Sequence, residues 1–183
     1  AGSLGAPPGV NEGPTMSDHV VARLRAAIDT YPDRIATRIR RGDDWVTQTY
    51  ARFGERVDAV AQGLIDAGVA PGDRVGIFLG NRPEWSEIDF GAGAARAVPV
   101  PLYATSTPEQ IAFIARDSGL TVMFVGGQSE AERVLEAADD LPMFQRKGRL
   151  VAAHLKDAAR AVTGTAMAEA GIEETGVVHA ELA

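Results

Sequence analysis

Three short apolar runs decide the fold: RVGIFL at Arg74–Leu79, VPVPL at Val98–Leu102 and LTVMFV at Leu120–Val125. Segments with helical spacing follow each run, the first at Trp85–Ala95. Strands that alternate with helices predict crossover connections and a parallel sheet. Continuous apolar runs fit that prediction, because parallel strands are usually buried on both faces. The sequence therefore predicts an α/β fold, a parallel-sheet layered subdomain covered by helices.

The most specific local pattern marks the helix between the second and third runs. Thr107 can cap it, Pro108 suits its first position, and Gln110 completes a capping box. Gly119 is expected to end this helix. The prolines of VPVPL predict an edge strand or a strand end, since proline has no N–H to donate to a neighbouring strand.

Upstream of the sheet, the spacing predicts an amphipathic helix over Ser17–Thr30, capped by Ser17 or Asp18. Alternation at Ile35–Ile39 and Trp45–Thr49 predicts a hairpin, with Trp45 in the core. A second helix begins near Tyr50 and ends at a left-handed Gly68. Its apolar stripe is expected to face the strand at 74–79, and its members are Phe53, Val57, Val60 and Leu64.

Composition excludes several classes of function. The 183 residues carry a net charge of −7, which disfavours binding to nucleic acid or anionic membranes. There is no cysteine, so disulfides and thiolate chemistry are excluded. No apolar run approaches the roughly 20 residues of a membrane span. The three histidines are scattered, so no metal site is predicted. We expect a cytoplasmic protein.

The two ends of the chain differ from its middle. Residues 1–15 are small, polar and rich in Gly and Pro, which indicates a disordered lead or a remnant of cloning. Residues 16–141 hold the subdomain. Residues 142–183 are expected to form a helical tail of uncertain origin, with a helix over Leu150–Val162.

Three stretches resemble the first subdomain of the adenylate-forming superfamily. They are Thr49-Tyr50 with Phe53 and its helix, GDRVGIFLGNRPEW at Gly72–Trp85, and AVPVPLYATSTPEQIAFI at Ala97–Ile114. Arg52 stands where the family usually has an acidic residue. NRPEW together with VPLYATST is most similar to the long-chain fatty acyl-CoA synthetase branch. The motifs extend from Ser17 to Leu141, and the residues beyond do not resemble the family's continuation.

The resemblance implies a two-step reaction. A fatty acid carboxylate attacks the ATP α-phosphate to give an acyl adenylate, and the CoA thiol then displaces AMP, with magnesium neutralising phosphate charge. ATP, CoA and magnesium would serve the complete enzyme and none is expected for this chain alone. By position, Tyr103, Ala104 and Thr105 match a turn near the CoA nucleotide. The alternative is that Tyr103 packs beneath the next helix. No catalytic residue is assigned.

The parts that handle ATP are missing from the sequence. It has no Ser/Thr/Gly-rich phosphate loop ending in Pro-Lys, and no C-terminal lysine motif. The Gly126-Gly127 pair fits a tight strand-to-helix turn better than an anion site. Two hypotheses remain: an inactive N-terminal fragment of an AMP-forming ligase, or a non-catalytic binding or dimerisation module. For the fragment, exposed apolar surface and open strand edges predict self-association. The module would dimerise through the exposed sheet edge or the alanine-rich tail helix.

Overall fold

The computed structural model describes residues 19–137 and 140–141, and the backbone of residues 149–152. Its helices are α1 (Val20–Thr30), α2 (Tyr50–Asp66), α3 (Pro83–Ala94), α4 (Pro108–Ser118) and α5 (Gln128–Glu136). Its strands are β1 (Ile35–Arg41), β2 (Asp44–Thr49), β3 (Arg74–Phe78), β4 (Val98–Leu102), β5 (Leu120–Val125) and β6 (Arg149–Ala152). None of the described helices is long and apolar enough to cross a membrane.

The main sheet is parallel and has the order β4-β3-β5-β6. β3 and β5 are therefore the inner strands, and from β3 the chain moves first to one side, at β4, and then to the other, at β5. β3 and β5 are buried on both faces, as their continuous apolar runs predicted, whereas the edge strand β4 buries only Leu102 fully. The α/β architecture and the edge position of β4 are confirmed.

Each face of the sheet has its own apolar core. The first core joins α2 and α3 to one face, and includes Val60, Leu64, Val75, Ile77, Ile88 and Phe124. The second joins α4 and α5 to the other face, and includes Phe78, Leu102, Ile111, Met123 and Val134. Side chains of β3 contribute to both cores because they alternate across the sheet.

The stripe of α2 divides between two neighbours. Val60 and Leu64 face the sheet, as predicted. Phe53 and Val57 instead pack with Leu24 of α1. Helices α2 and α3 approach closely at Gly91, where a Cβ atom would lie 2.5 Å from Val60 Cγ1. The small residues of α3 therefore permit this helix pair to pack.

The predicted turns and caps are largely confirmed. The capping box of Thr107 and Gln110 is formed, and Gly119 has φ 65°. Gly68, with φ 80°, follows the last turn of α2. The cap of α1 differs from the prediction, because His19 accepts the hydrogen bond from the Val21 N–H at 3.3 Å. Ser17 and Asp18 lie outside the described residues.

The hairpin is present as β1 and β2, paired antiparallel. However, Trp45 is 61% exposed, so its predicted place in the core is wrong. Neither strand has a fully buried side chain. Alternation of apolar residues predicted the strand correctly, but it cannot show whether another element covers their face.

The chain after residue 148 also differs from the prediction. Residues 149–152 form β6, parallel to β5, where a helix was expected to begin at Leu150. Short apolar runs suit a strand or a helix equally, and here β5 supplies the hydrogen-bonding partner. The rest of the predicted tail helix, and the lead at 1–15, lie outside the described residues.

Candidate functional site

The candidate site lies where the parallel strands end. Three connections leave this edge: Leu79–Arg82 after β3, Tyr103–Thr107 after β4, and Gly126-Gly127 after β5. Ligands of open α/β sheets bind beside such carboxyl ends, because the connections diverge there and leave a crevice. We call this region the carboxyl edge.

A tight turn follows β4. The Ser106 N–H donates a hydrogen bond to the Tyr103 carbonyl oxygen at 2.9 Å. Ser106 is 4% exposed, whereas Tyr103 is 85% exposed. The expectation that Tyr103 packs beneath α4 is therefore wrong. The physical reason is that the buried Leu102 ends β4 and the turn sends the next side chain outward. We call residues 103–106 the Tyr103–Ser106 turn.

The turn forms one wall of an open groove of about 540 Å³. The three residues expected at the site, Tyr103, Ala104 and Thr105, all line it. The opposite wall comes from β3 and the start of α3, and it includes Asn81 and Trp85. We call this the carboxyl-edge groove. Asn81 and Trp85 were not assigned from the sequence, although their position after the neighbouring parallel strand could have suggested them.

The lining of the groove favours binding over acid–base chemistry. Its described lining has no carboxylate, imidazole or amine. It offers two aromatic rings, Tyr103 and Trp85, together with the Asn81 amide and the Thr105 hydroxyl. Aromatic faces and neutral hydrogen-bonding groups suit a flat heterocyclic ligand. No group of metal-ligating side chains occurs among the residues that the structure describes.

The ends of β3 and β5 are packed tightly against each other. The Gly126 N–H donates to the Phe78 carbonyl at 2.9 Å, and a Cβ on Gly126 would lie 2.5 Å from Leu79 Cβ. Only glycine fits this approach without displacement. The Gly126-Gly127 pair is thus a close-packed strand-to-helix turn, as the sequence indicated.

Arg82 links the connection after β3 to the connection after β5. Its guanidinium donates to the Gly126 carbonyl at 3.2 Å and to the Glu84 carboxylate at 3.0 and 3.2 Å. Partial burial of Glu84 acts to raise its pKa. Hydrogen bonds from Arg82 and from the backbone N–H of Glu84 act in the opposite direction, as does nearby arginine charge, and the pKa lies below its usual value. The Glu84 carboxylate is therefore ionised and structural.

A second buried carboxylate ties the hairpin to the sheet domain. Glu87 is 2% exposed and accepts hydrogen bonds from Arg56 Nε at 2.7 Å and from Gln48 Nε2 at 2.8 Å. These partners come from α2 and β2. Sequence analysis missed this cluster, because residues so far apart in the chain reveal a contact only once the helices are packed.

Comparison with known proteins agrees with the fold and with the motifs. The model of the family described as AMP-binding enzyme matches residues 24–176. A long-chain-fatty-acid–CoA ligase of Mycobacterium bovis is 41% identical over 101 residues, which are 55% of this chain and 17% of that protein. The chain thus spans less than a fifth of the length of this relative.

Solved structures give the same result. A Mycobacterium tuberculosis fatty acyl CoA synthetase superposes with a TM-score of 0.60 at 29% identity, over 67% of this chain and 24% of that one. A benzoate CoA ligase from Burkholderia xenovorans has a TM-score of 0.65 at 19% identity, over 89% and 30%, which concerns the fold alone.

The family match extends beyond the quoted motifs. It continues to residue 176, so the similarity does not end at Leu141 as the motifs suggested. The match covers far more than half of the chain, and it includes the sheet, the carboxyl edge and the Tyr103–Ser106 turn. The chain belongs to the family of AMP-binding enzymes.

Proposed function

We propose that this chain is the N-terminal part of an AMP-forming long-chain fatty acid–CoA ligase and is inactive alone. The similarity to long-chain-fatty-acid–CoA ligases over about half of the chain carries the proposal. The substrates of the complete enzyme would be a fatty acid, ATP and CoA, with magnesium, in the cytoplasm. The absent phosphate loop supports inactivity, because phosphoryl chemistry depends on groups that position and neutralise the phosphates.

Within this function, we assign the Tyr103–Ser106 turn to the nucleotide of CoA. Tyr103 presents a largely exposed ring, Thr105 presents a hydroxyl, and Ala104 leaves room between them. These residues fit a heterocycle with attached hydroxyl and phosphate groups, since base stacking on aromatic rings needs a free ring face. CoA would supply the thiol that accepts the acyl group, while these residues would only hold its nucleotide end.

The experiment compares this chain with the complete open reading frame. ATP–pyrophosphate exchange is measured with palmitate for both proteins. We expect exchange only for a longer product whose frame, downstream of Ala183, encodes a Ser/Thr/Gly-rich loop ending in Pro-Lys. Palmitate-dependent exchange by this chain alone, above a blank without protein, would refute the proposed inactivity. A stop codon after Ala183 with no such frame would refute the assignment as a fragment.

A second candidate is a non-catalytic binding or dimerisation module. Large apolar side chains are exposed around β4 and α4: Val98 at 48%, Tyr103 at 85% and Phe113 at 64%. Association would use these side chains more readily than strand pairing. The Val98 N–H donates towards β3, so by alternation the backbone of Pro99 and Pro101 faces outward, where it offers no donor.

Analytical ultracentrifugation tests this candidate. Self-association should weaken in Phe113→Ser, whereas Leu135→Ser, on the more distant α5, should associate like the unchanged chain. A monomer at all concentrations would refute dimerisation through this surface.

A further inference from the structure

We infer that Arg133 is a positioning residue for the Tyr103–Ser106 turn, and that the turn binds CoA more tightly because the Arg133 guanidinium fixes its backbone. The inference rests on the CoA assignment under the proposed function. It concerns a residue of α5 that lies outside every motif in the sequence and does not line the carboxyl-edge groove.

Arg133 satisfies two carbonyl groups of the turn. Its Nη1 donates to the Ala104 carbonyl at 2.7 Å and to the Ser106 carbonyl at 3.0 Å. The turn has one internal hydrogen bond, from the Ser106 N–H to the Tyr103 carbonyl. Two charge-assisted hydrogen bonds to its carbonyl oxygens therefore hold the backbone of the turn in addition to this internal bond.

The guanidinium is itself held in place from several sides. It lies over the ring of the fully buried Phe78, 5.0 Å from the ring centre. Its Nε donates to the Ser129 carbonyl at 3.1 Å, and Nη2 lies 3.8 Å from Glu130 Oε1. The side chain is 25% exposed. It is thus a fixed, planar donor that connects the end of β3, the turn after β4 and the first turns of α5.

Lysine cannot reproduce this arrangement. An ammonium group is a compact charge without the planar fork that donates in fixed directions and stacks on a ring. Arg133→Lys keeps the charge and most of the stem, so it tests geometry more than charge. Arg116→Lys is the matched control, because Arg116 lies on the neighbouring α4 and pairs with Asp140 at 3.1 Å, away from the turn.

Hydrogen exchange of the whole chain provides the first measurement. In Arg133→Lys, we expect the protection of the Ser106 amide to fall about tenfold, the effect of one or two lost charge-assisted hydrogen bonds. Protection of Met123, in the centre of β5, should stay unchanged, as should both amides in Arg116→Lys. Arg133→Gln, which loses the charge as well, should give the same local loss.

Titration of the complete protein, of which this chain is proposed to be the N-terminal part, with CoA provides the second measurement, followed through the amide resonances of Tyr103 and Thr105. We expect the apparent Kd to rise about tenfold in Arg133→Lys, because the turn must then be ordered on binding. The Kd should also rise in Tyr103→Ala, and it should not change in Arg116→Lys.

The outcomes separate the inference from the proposed function. Unchanged Ser106 protection in Arg133→Lys would overturn the inference, and so would equal losses at Ser106 and Met123, which indicate general destabilisation. Equal CoA affinity in Arg133→Lys and the unchanged chain, despite a looser turn, would also overturn it. If CoA leaves the turn of the complete protein unaffected, the CoA assignment fails, and exchange alone decides whether Arg133 positions the turn.

Discussion

The hairpin β1–β2 and the parallel strands β3–β5 belong to one chain but are stabilised differently. The parallel strands bury most of their side chains in two apolar cores. The hairpin buries none fully. Ala36 packs against the cluster of Leu24, Phe53 and Val57, and polar contacts add to this, including Gln48 to Glu87 and Arg41 to Glu84. A change in the sheet region should therefore act through lost burial, and a change at the hairpin junction should act through lost ionic partners.

The largest effect is expected from Leu64→Ala. Leu64 is fully buried against β3, and such a truncation costs about 2–5 kcal/mol through lost transfer energy and a cavity. The melting midpoint should fall by about 5–15 °C. Calorimetry can measure this against Gln62→Ala, whose exposed amide bonds only Asp66. Similar small shifts in both variants would contradict the packing of α2.

The next effect is expected from Arg56→Met, at the hairpin junction. It leaves the buried Glu87 with Gln48 as its one remaining described partner, and should cost about 2–3 kcal/mol. The double variant Arg56→Met/Glu87→Leu should recover most of the lost stability, since an apolar pair removes the uncompensated charge. Urea denaturation measures both.

Arg52→Met is the control, because Arg52 forms an exposed pair with Glu55. It should be near neutral, as most exposed ion pairs are. If Arg52→Met and Arg56→Met cost the same, the ionic junction would not distinguish the hairpin from the sheet region.

The two tryptophans provide a smaller contrast between the same regions. Trp85 is partly buried against the first core, whereas Trp45 is 61% exposed on β2. Trp85→Ala should cost about 1–3 kcal/mol, and Trp45→Ala less than about 0.5 kcal/mol. Thermal unfolding followed by circular dichroism compares them. A larger loss for Trp45 would indicate that another part of the protein covers the hairpin.

The same contrast explains what the sequence could predict. β3, β4 and β5 were located to within one residue. β3 and β5 are buried on both faces and leave continuous apolar runs, and the more exposed β4 is still apolar and bounded by turn residues. Trp45 was misplaced, because in a hairpin the pattern gives the strand but not the neighbour that covers it. Local sequence patterns are thus reliable where burial is symmetrical.

The candidate site was predictable in part. Tyr103, Ala104 and Thr105 follow directly from a motif, and they do line one groove. Asn81, Trp85 and Arg133 were missed, because only the strand order brings the ends of β3 and β4 and the start of α5 together. Residues joined by topology leave no spacing pattern in a single sequence.

A still smaller effect on stability is expected from Glu84→Gln, and it depends on pH. The folded pKa of Glu84 lies below the ordinary value of 4.5, so its ion pair stabilises the fold above about pH 4.5. That contribution is lost as the pH falls through the folded pKa. Glu84→Gln should therefore be less stable than the unchanged chain at pH 7, and the difference should shrink below pH 4.5. Urea denaturation at several pH values measures it, with the exposed Glu132→Gln as control.

The smallest effect is expected from Asp89, on the same helix as Glu84 but with the opposite sign. Burial raises the pKa of Asp89 above its ordinary value of 3.8. The folded state therefore favours the neutral form, and the ionised carboxylate weakens the fold at neutral pH. Asp89→Asn should raise the melting midpoint by at most about 2 °C at pH 7. The gain should vanish as the pH falls through 3.8, where both states carry the proton. Parallel melting curves of the two α3 variants make the comparison decisive, because a general effect of acid would shift Glu84→Gln and Asp89→Asn in the same direction. We expect the melting midpoints of the two variants to shift in opposite directions from that of the unchanged chain at pH 7, and the shifts to converge in acid. This result would show that hydrogen-bonding partners, and not burial alone, determine which carboxylates of α3 stabilise the fold.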